Sequence, residues 1–83
     1  MKYLHADPEI MGGVLVIRGT RIPIDTLLYR LKDGYTLEDL QTKWSYVGPE
    51  TLRGAIQEAL GVAIDVLNKN YAKGISQTQT SPR

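Results

Sequence analysis

The chain has no cysteine and only one histidine, His5, among its 83 residues. Without thiols there is no disulfide staple and no thiolate metal site, and one imidazole cannot build a histidine cage, so no metal is expected. No apolar run approaches the roughly 18 residues of a membrane span, and no charged-then-apolar leader opens the chain. A soluble, cytoplasmic protein with no membrane role is therefore expected. Charge of one sign is scarce as well: 10 Lys+Arg stand against 9 Asp+Glu, a formal net charge of +1. A strongly electrostatic nucleic-acid binder would usually have a pI above about 9; here it is ≈ 8.0. The balance shifts along the chain, from net −1 over residues 1–40 to net +2 over residues 41–83.

Catalytic patterns are missing too. None of Ser45, Ser76 and Ser81 sits in a Gly-x-Ser-x-Gly elbow, and His5 has no cysteine to activate. The adjacent acids Glu38 and Asp39 open a helix, where acids complement the dipole. Gly12-Gly13 and Gly19 do not make Gly-x-Gly-x-x-Gly, and no Gly-Lys-Ser/Thr occurs, so no nucleotide cofactor is expected. Trp44, Tyr35 and Tyr46 could form a base-stacking platform, but their helical and staple spacing reads as core. No enzymatic activity is expected.

A chain of this length makes one domain with a small core. Ordering each residue costs about 1.5 kcal/mol, and domains this small come out near break-even on burial alone. With disulfides and metals excluded, self-association is the remaining stabiliser.

The expected fold is mostly α with a small N-terminal β-hairpin: a single domain over 1–73, with a lead-in (1–13), the hairpin (14–24) and a three-helix bundle (24–73). The polar, aperiodic stretch 74–83 reads as a flexible tail. Val14–Arg18 and Arg21–Ile24 flank Gly19-Thr20, which suggests a two-residue type II′ turn, with Pro23 confining the second arm to a short edge. Ile24, Leu27, Leu28 and Leu31 mark a first helix, with Gly34 just past its end. Thr36 and Asp39 form a capping-box pattern for a second, with Tyr35 and Leu40 placed as a staple. Gly48-Pro49 opens a third helix whose stripe, Leu52, Ala55, Ile56, Ala59, Leu60, Ala63, Ile64 and Leu67, runs to about Tyr71. Gly54 and Gly61 inside it suggest close approach of another helix.

The hairpin register sets Ile17 opposite Ile22 and Arg18 opposite Arg21. Leu15, Ile17, Ile22 and Ile24 then share one face, and Val14, Val16 and Pro23 the other. Both faces are largely apolar, and three helices can cover only one. The second face calls for a homodimer, with Val14, Val16 and Pro23 as interface candidates, or for residues 1–13 to fold over it. Arg18 opposite Arg21 is a like-charge pair that needs an anion. An internal carboxylate (Asp7, Glu9 or Asp25) would serve, and so would a phosphate or an acidic partner protein. Arg18 is expected to serve binding and Arg21 folding.

The second and third helices, joined by a short connection, have the form of a helix-turn-helix. Its reading residues would be Thr51, Arg53 and Gln57, with Arg and Gln able to recognise G and A. Glu50 and Glu58 lie nearby.

Asp7-Pro8-Glu9-Ile10-Met11-Gly12-Gly13, followed by Ile17-Arg18-Gly19-Thr20-Arg21-Ile22-Pro23 and by Leu31 with Gly34, resembles the small bacterial family known as domain of unknown function 433. The resemblance covers about residues 3–60. It implies a homeodomain-like, helix-turn-helix fold. It also implies an antitoxin of VapB type, paired with a PIN-like ribonuclease toxin and able to bind its own operator DNA. The sequence departs from the family's habit at Trp44-Ser45, where a Tyr-Pro is common, and at Gly54, where Ala is usual. The alternative to the antitoxin reading is a protein-interaction module that binds no DNA.

Overall fold

The computed structural model describes residues 1–71; the stretch read as a tail lies outside them. Two short strands, β1 (Leu4–Ala6) and β2 (Leu15–Ile17), precede three helices, α1 (Ile24–Lys32), α2 (Leu37–Lys43) and α3 (Pro49–Asn70). The expected mostly helical domain with a two-stranded N-terminal hairpin is what the chain forms.

The strands that pair differ from those expected. β1 comes from the lead-in and runs antiparallel to β2, with Leu4 opposite Ile17, His5 opposite Val16 and Ala6 opposite Leu15. The Arg21–Ile24 arm keeps its expected register but contributes one bridge, Val16 to Pro23, where proline ends the ladder. The turn is also shifted by one residue. The Thr20 N–H donates to Ile17 O at 2.9 Å, so Arg18 and Gly19 are the central pair. Gly19, at φ +83°, takes the left-handed third position of a type II turn. The Thr20 hydroxyl locks it, donating to Ile17 O at 2.8 Å and accepting from the Ile22 N–H at 3.0 Å. Between the strands, Asp7 accepts from the Glu9 N–H through its side chain and from the Ile10 N–H through its carbonyl.

The faces divide as the alternation predicts. Ile17, Ile22 and Ile24 enter the core with Leu4, Leu27, Leu40, Leu52, Ala55 and Ile56, and Leu15 packs against it. On the other face Val16 is only 1 % exposed within the single chain. Its cross-strand neighbours are His5 and Pro23. Val16 is thus buried within one chain, and of the three dimer candidates Val14 is exposed and Pro23 half-buried.

The helices follow their local signals. Thr36 caps α2 by accepting from the Asp39 N–H at 3.1 Å, and the Asp39 carboxylate accepts from the Thr36 N–H at 2.8 Å. This is the reciprocal capping box. Pro49 stands in the first turn of α3. α1, α2 and β2 all pack on α3, whose buried residues Leu52, Gly54, Ala55 and Ile56 lie in its first two turns. From Leu60 onward every described α3 residue is exposed. The expected core stripe therefore stops near Ala59, because α1 and α2 are too short to reach further.

Candidate functional site

Glu50, Gly54 and Glu58 recur at i, i+4 and i+8, so they line one side of α3, and the N-terminus lies along that side. Glu58 accepts from three backbone N–H groups, those of Lys2 (2.8 Å), Tyr3 (3.0 Å) and Leu4 (3.0 Å). Desolvation pushes the Glu58 carboxyl up, but these three bonds and the N-terminal ammonium pull it further down, leaving it below its ordinary value. Tyr3 donates its hydroxyl to Glu50 at 3.4 Å. Its ring fills the space where a Gly54 side chain would stand. The close approach at Gly54 is thus to the N-terminal segment rather than to a helix, and Gly61 faces open space.

Arg18 completes the attachment. Its guanidinium donates to Lys2 O at 3.1 Å, Met1 O at 3.0 Å and Leu4 O at 3.3 Å, and lies 3.5 Å from His5 Nδ1. The anionic partner expected for the arginine pair is therefore met by backbone carbonyls at Arg18, not by Asp7, Glu9 or Asp25. Arg21 is exposed.

Arg53 and Gln57 stand on the outer side of α3, both exposed, while Thr51 is half-buried. They border a hollow of about 170 Å³ closed by Leu31, Leu37 and Ile56. Of the two acids nearby, Glu58 is turned to the N-terminal backbone, while Glu50, one turn before Arg53, is exposed and accepts from the Tyr3 hydroxyl. α2 and α3 are joined by residues 44–48, with Gly48 at φ +92° in the connection.

A second cluster was not foreseen. Arg30 lies over both Tyr35 (5.4 Å) and Trp44 (5.6 Å), and Lys43 lies over Trp44 at 5.4 Å. These are cation–π contacts. Arg30, Tyr35 and Lys43 line a hollow of about 330 Å³ with Asp39, Leu40 and Thr42. Trp44 packs against the core as expected, but Tyr35 and Tyr46 are exposed and are not core residues. The spacing Arg30–Tyr35 crosses a helix end, so helical periodicity gave no signal for it. Among the described residues no group of three or more His, Cys, Asp or Glu side chains is placed to hold a metal. Likewise, no helix there is long and apolar enough to cross a membrane.

A family model described as a protein of unknown function (DUF433) matches residues 5–59. No curated protein and no solved structure matches the chain.

Proposed function

The chain belongs to the DUF433 family, and from that membership we propose that it is a non-enzymatic, antitoxin-like regulator acting through binding alone. Its DNA contact is α2 and the first two turns of α3, with Thr51, Arg53 and Gln57 at the base edges. Its protein partner is a PIN-like ribonuclease, whose clustered carboxylates suit an exposed guanidinium such as that of Arg21.

One observation carries the DNA half. Glu58 is held by the N-terminal backbone and Glu50 accepts from the Tyr3 hydroxyl, so both acids beside Arg53 and Gln57 already have partners, while Arg53 and Gln57 are exposed. An Arg and a Gln one helical turn apart match the bidentate demands of G and A.

An electrophoretic shift against the chain's own upstream DNA, repeated across salt, tests it. A specific complex at low salt that weakens steeply by about 200 mM is expected. No shift at low salt leaves the second reading, a protein-interaction module without DNA affinity, which the formal net charge of +1 favours. The toxin half is tested separately, by titrating the chain into a PIN-like ribonuclease and following RNA cleavage. Undiminished cleavage at stoichiometric excess removes it.

A further inference from the structure

We propose that the hollow between the end of α1 and α2 binds one nucleotide unit, its base against Tyr35 and its phosphate between Arg30 and Lys43. The site goes beyond the duplex-DNA reading. Its lining, Arg30, Tyr35, Asp39, Leu40, Thr42 and Lys43, shares no residue with the hollow beside Arg53 and Gln57. At about 100° per residue, Asp39 and Lys43 leave α2 on the side away from Leu37, which lines that other hollow. The helix dipole accounts for a cation in the last turn of α1 and another in the last turn of α2. It does not account for their convergence. Arg30 and Lys43 come from different helices yet lie over one ring, that of Trp44, at 5.6 Å and 5.4 Å. Arg30 also lies over the Tyr35 ring.

The chemistry of the lining points to the ligand. A contact with a ring face uses no hydrogen-bond acceptor, so it orders a cation while its N–H groups stay available to an oxyanion. The one carboxylate in the lining, Asp39, already accepts from the Thr36 N–H at 2.8 Å. Two positive charges thus face one negative charge that is already bonded, which favours an anion as the occupant. Phosphate suits a guanidinium in particular, because it can accept from it bidentately. The hollow is larger than a lone phosphate needs, at about 330 Å³, a volume within the range of small-ligand sites. On its wall Tyr35 is 48 % exposed. An acidic peptide would use the two cations and leave that ring idle. A nucleotide carries both parts, a flat base to stack on the ring and a phosphate for the cations.

Trp44 is the only tryptophan of the chain and lies under both cations, so its fluorescence reports on the site. The full chain is titrated at constant ionic strength with thymidine monophosphate, a short single-stranded oligothymidylate, inorganic phosphate and a glutamate-rich peptide. Both nucleotide probes should change the emission saturably. Tighter binding of the strand identifies single-stranded nucleic acid as the source of the nucleotide, and equal affinity identifies a free nucleotide. Tyr35→Ala should weaken binding by about fivefold, the effect of losing one base–aromatic stack, and Tyr35→Phe, which keeps the ring, should bind as the parent does. Lys43→Gln should weaken both probes and reduce the salt dependence of strand binding by the share of about one phosphate. A circular-dichroism melt of each variant confirms that it is folded; Tyr35 and Lys43 are both exposed. An emission that neither nucleotide probe changes would overturn the proposal. So would phosphate or the peptide matching the nucleotides in affinity, or nucleotide binding that survives Tyr35→Ala and Lys43→Gln unchanged.

Discussion

Tyr3 occupies the space that any side chain at Gly54 would need: a Cβ there would overlap the ring at Cδ2, Cε2 and Cζ. A glycine inside an α-helix costs about 1 kcal/mol relative to alanine. Here the missing side chain is what lets the N-terminal segment lie against α3. Gly54→Ala should therefore lower stability by about 1–3 kcal/mol, the usual cost of overpacking, in spite of the better helix former. In a Tyr3→Ala background the same change should raise stability by up to about 1 kcal/mol. Urea denaturation of the four variants measures the coupling. A Gly54→Ala chain as stable as the parent, with Tyr3 present, would show that the ring is not held there.

Glu58 is the counterpart of that steric fit. Its carboxyl is lowered from an ordinary value of 4.5 by the N–H groups of Lys2, Tyr3 and Leu4, against a desolvation that raises it. A lowered folded value means that the unfolded chain takes up the proton first. The contribution of Glu58 is therefore fully present above pH 4.5 and is lost as pH falls below it, through the folded value. Glu58→Gln keeps an acceptor oxygen but cannot titrate. The variant should melt lower than the parent at neutral pH, and the gap should close on acidification below pH 4.5. A gap that stays constant with pH would remove the carboxylate from the attachment.

How far these features could be read from sequence depends on the distance between partners. The capping box of Thr36 and Asp39 and the stripe Ile24, Leu27, Leu31 are local, and both formed as expected. The register of β2 against the Pro23 arm was legible for the same reason. β1 was not, because Leu-His-Ala has no β-branched residue and its anchors lie far off. Glu58 is 54 residues from Leu4, and Gly54 is 51 from Tyr3. The glutamates flanking that glycine at i−4 and i+4 were the available signal, and they were read only as charges near a reading face. The outer end of α3 failed differently. Periodicity reports an apolar stripe but not whether another element is long enough to cover it.

The arginine pair can now be separated. Arg18 holds three carbonyls of residues 1–4, while Arg21 is exposed. The roles anticipated from sequence are therefore reversed in expectation. Arg18→Gln should lower the melting temperature and increase amide exchange at Lys2–Leu4, at a cost of about 1–3 kcal/mol for hydrogen bonds from a charged group. Arg21→Gln should leave the melt within about 0.5 kcal/mol and weaken only partner binding. Equal stability losses at both positions would show that Arg21 also serves the fold.

Arg53 and Gln57 give the sharpest division between the two functional readings, because both are exposed and neither belongs to the core. Replacing either should not unfold the domain, so a binding defect can be read directly. If Arg53 meets a guanine edge, Arg53→Ala should cost about 1–3 kcal/mol of operator affinity and relax the preference at one base position. If it meets only phosphate, affinity should fall uniformly across sequences and the salt slope should shrink by about one. Gln57→Ala should act at a neighbouring base position without changing the salt slope, since the amide carries no charge. A competition experiment with randomised operator positions distinguishes these outcomes. Wild-type affinity and specificity in both variants, with the fold intact, would place any DNA contact off the outer side of α3.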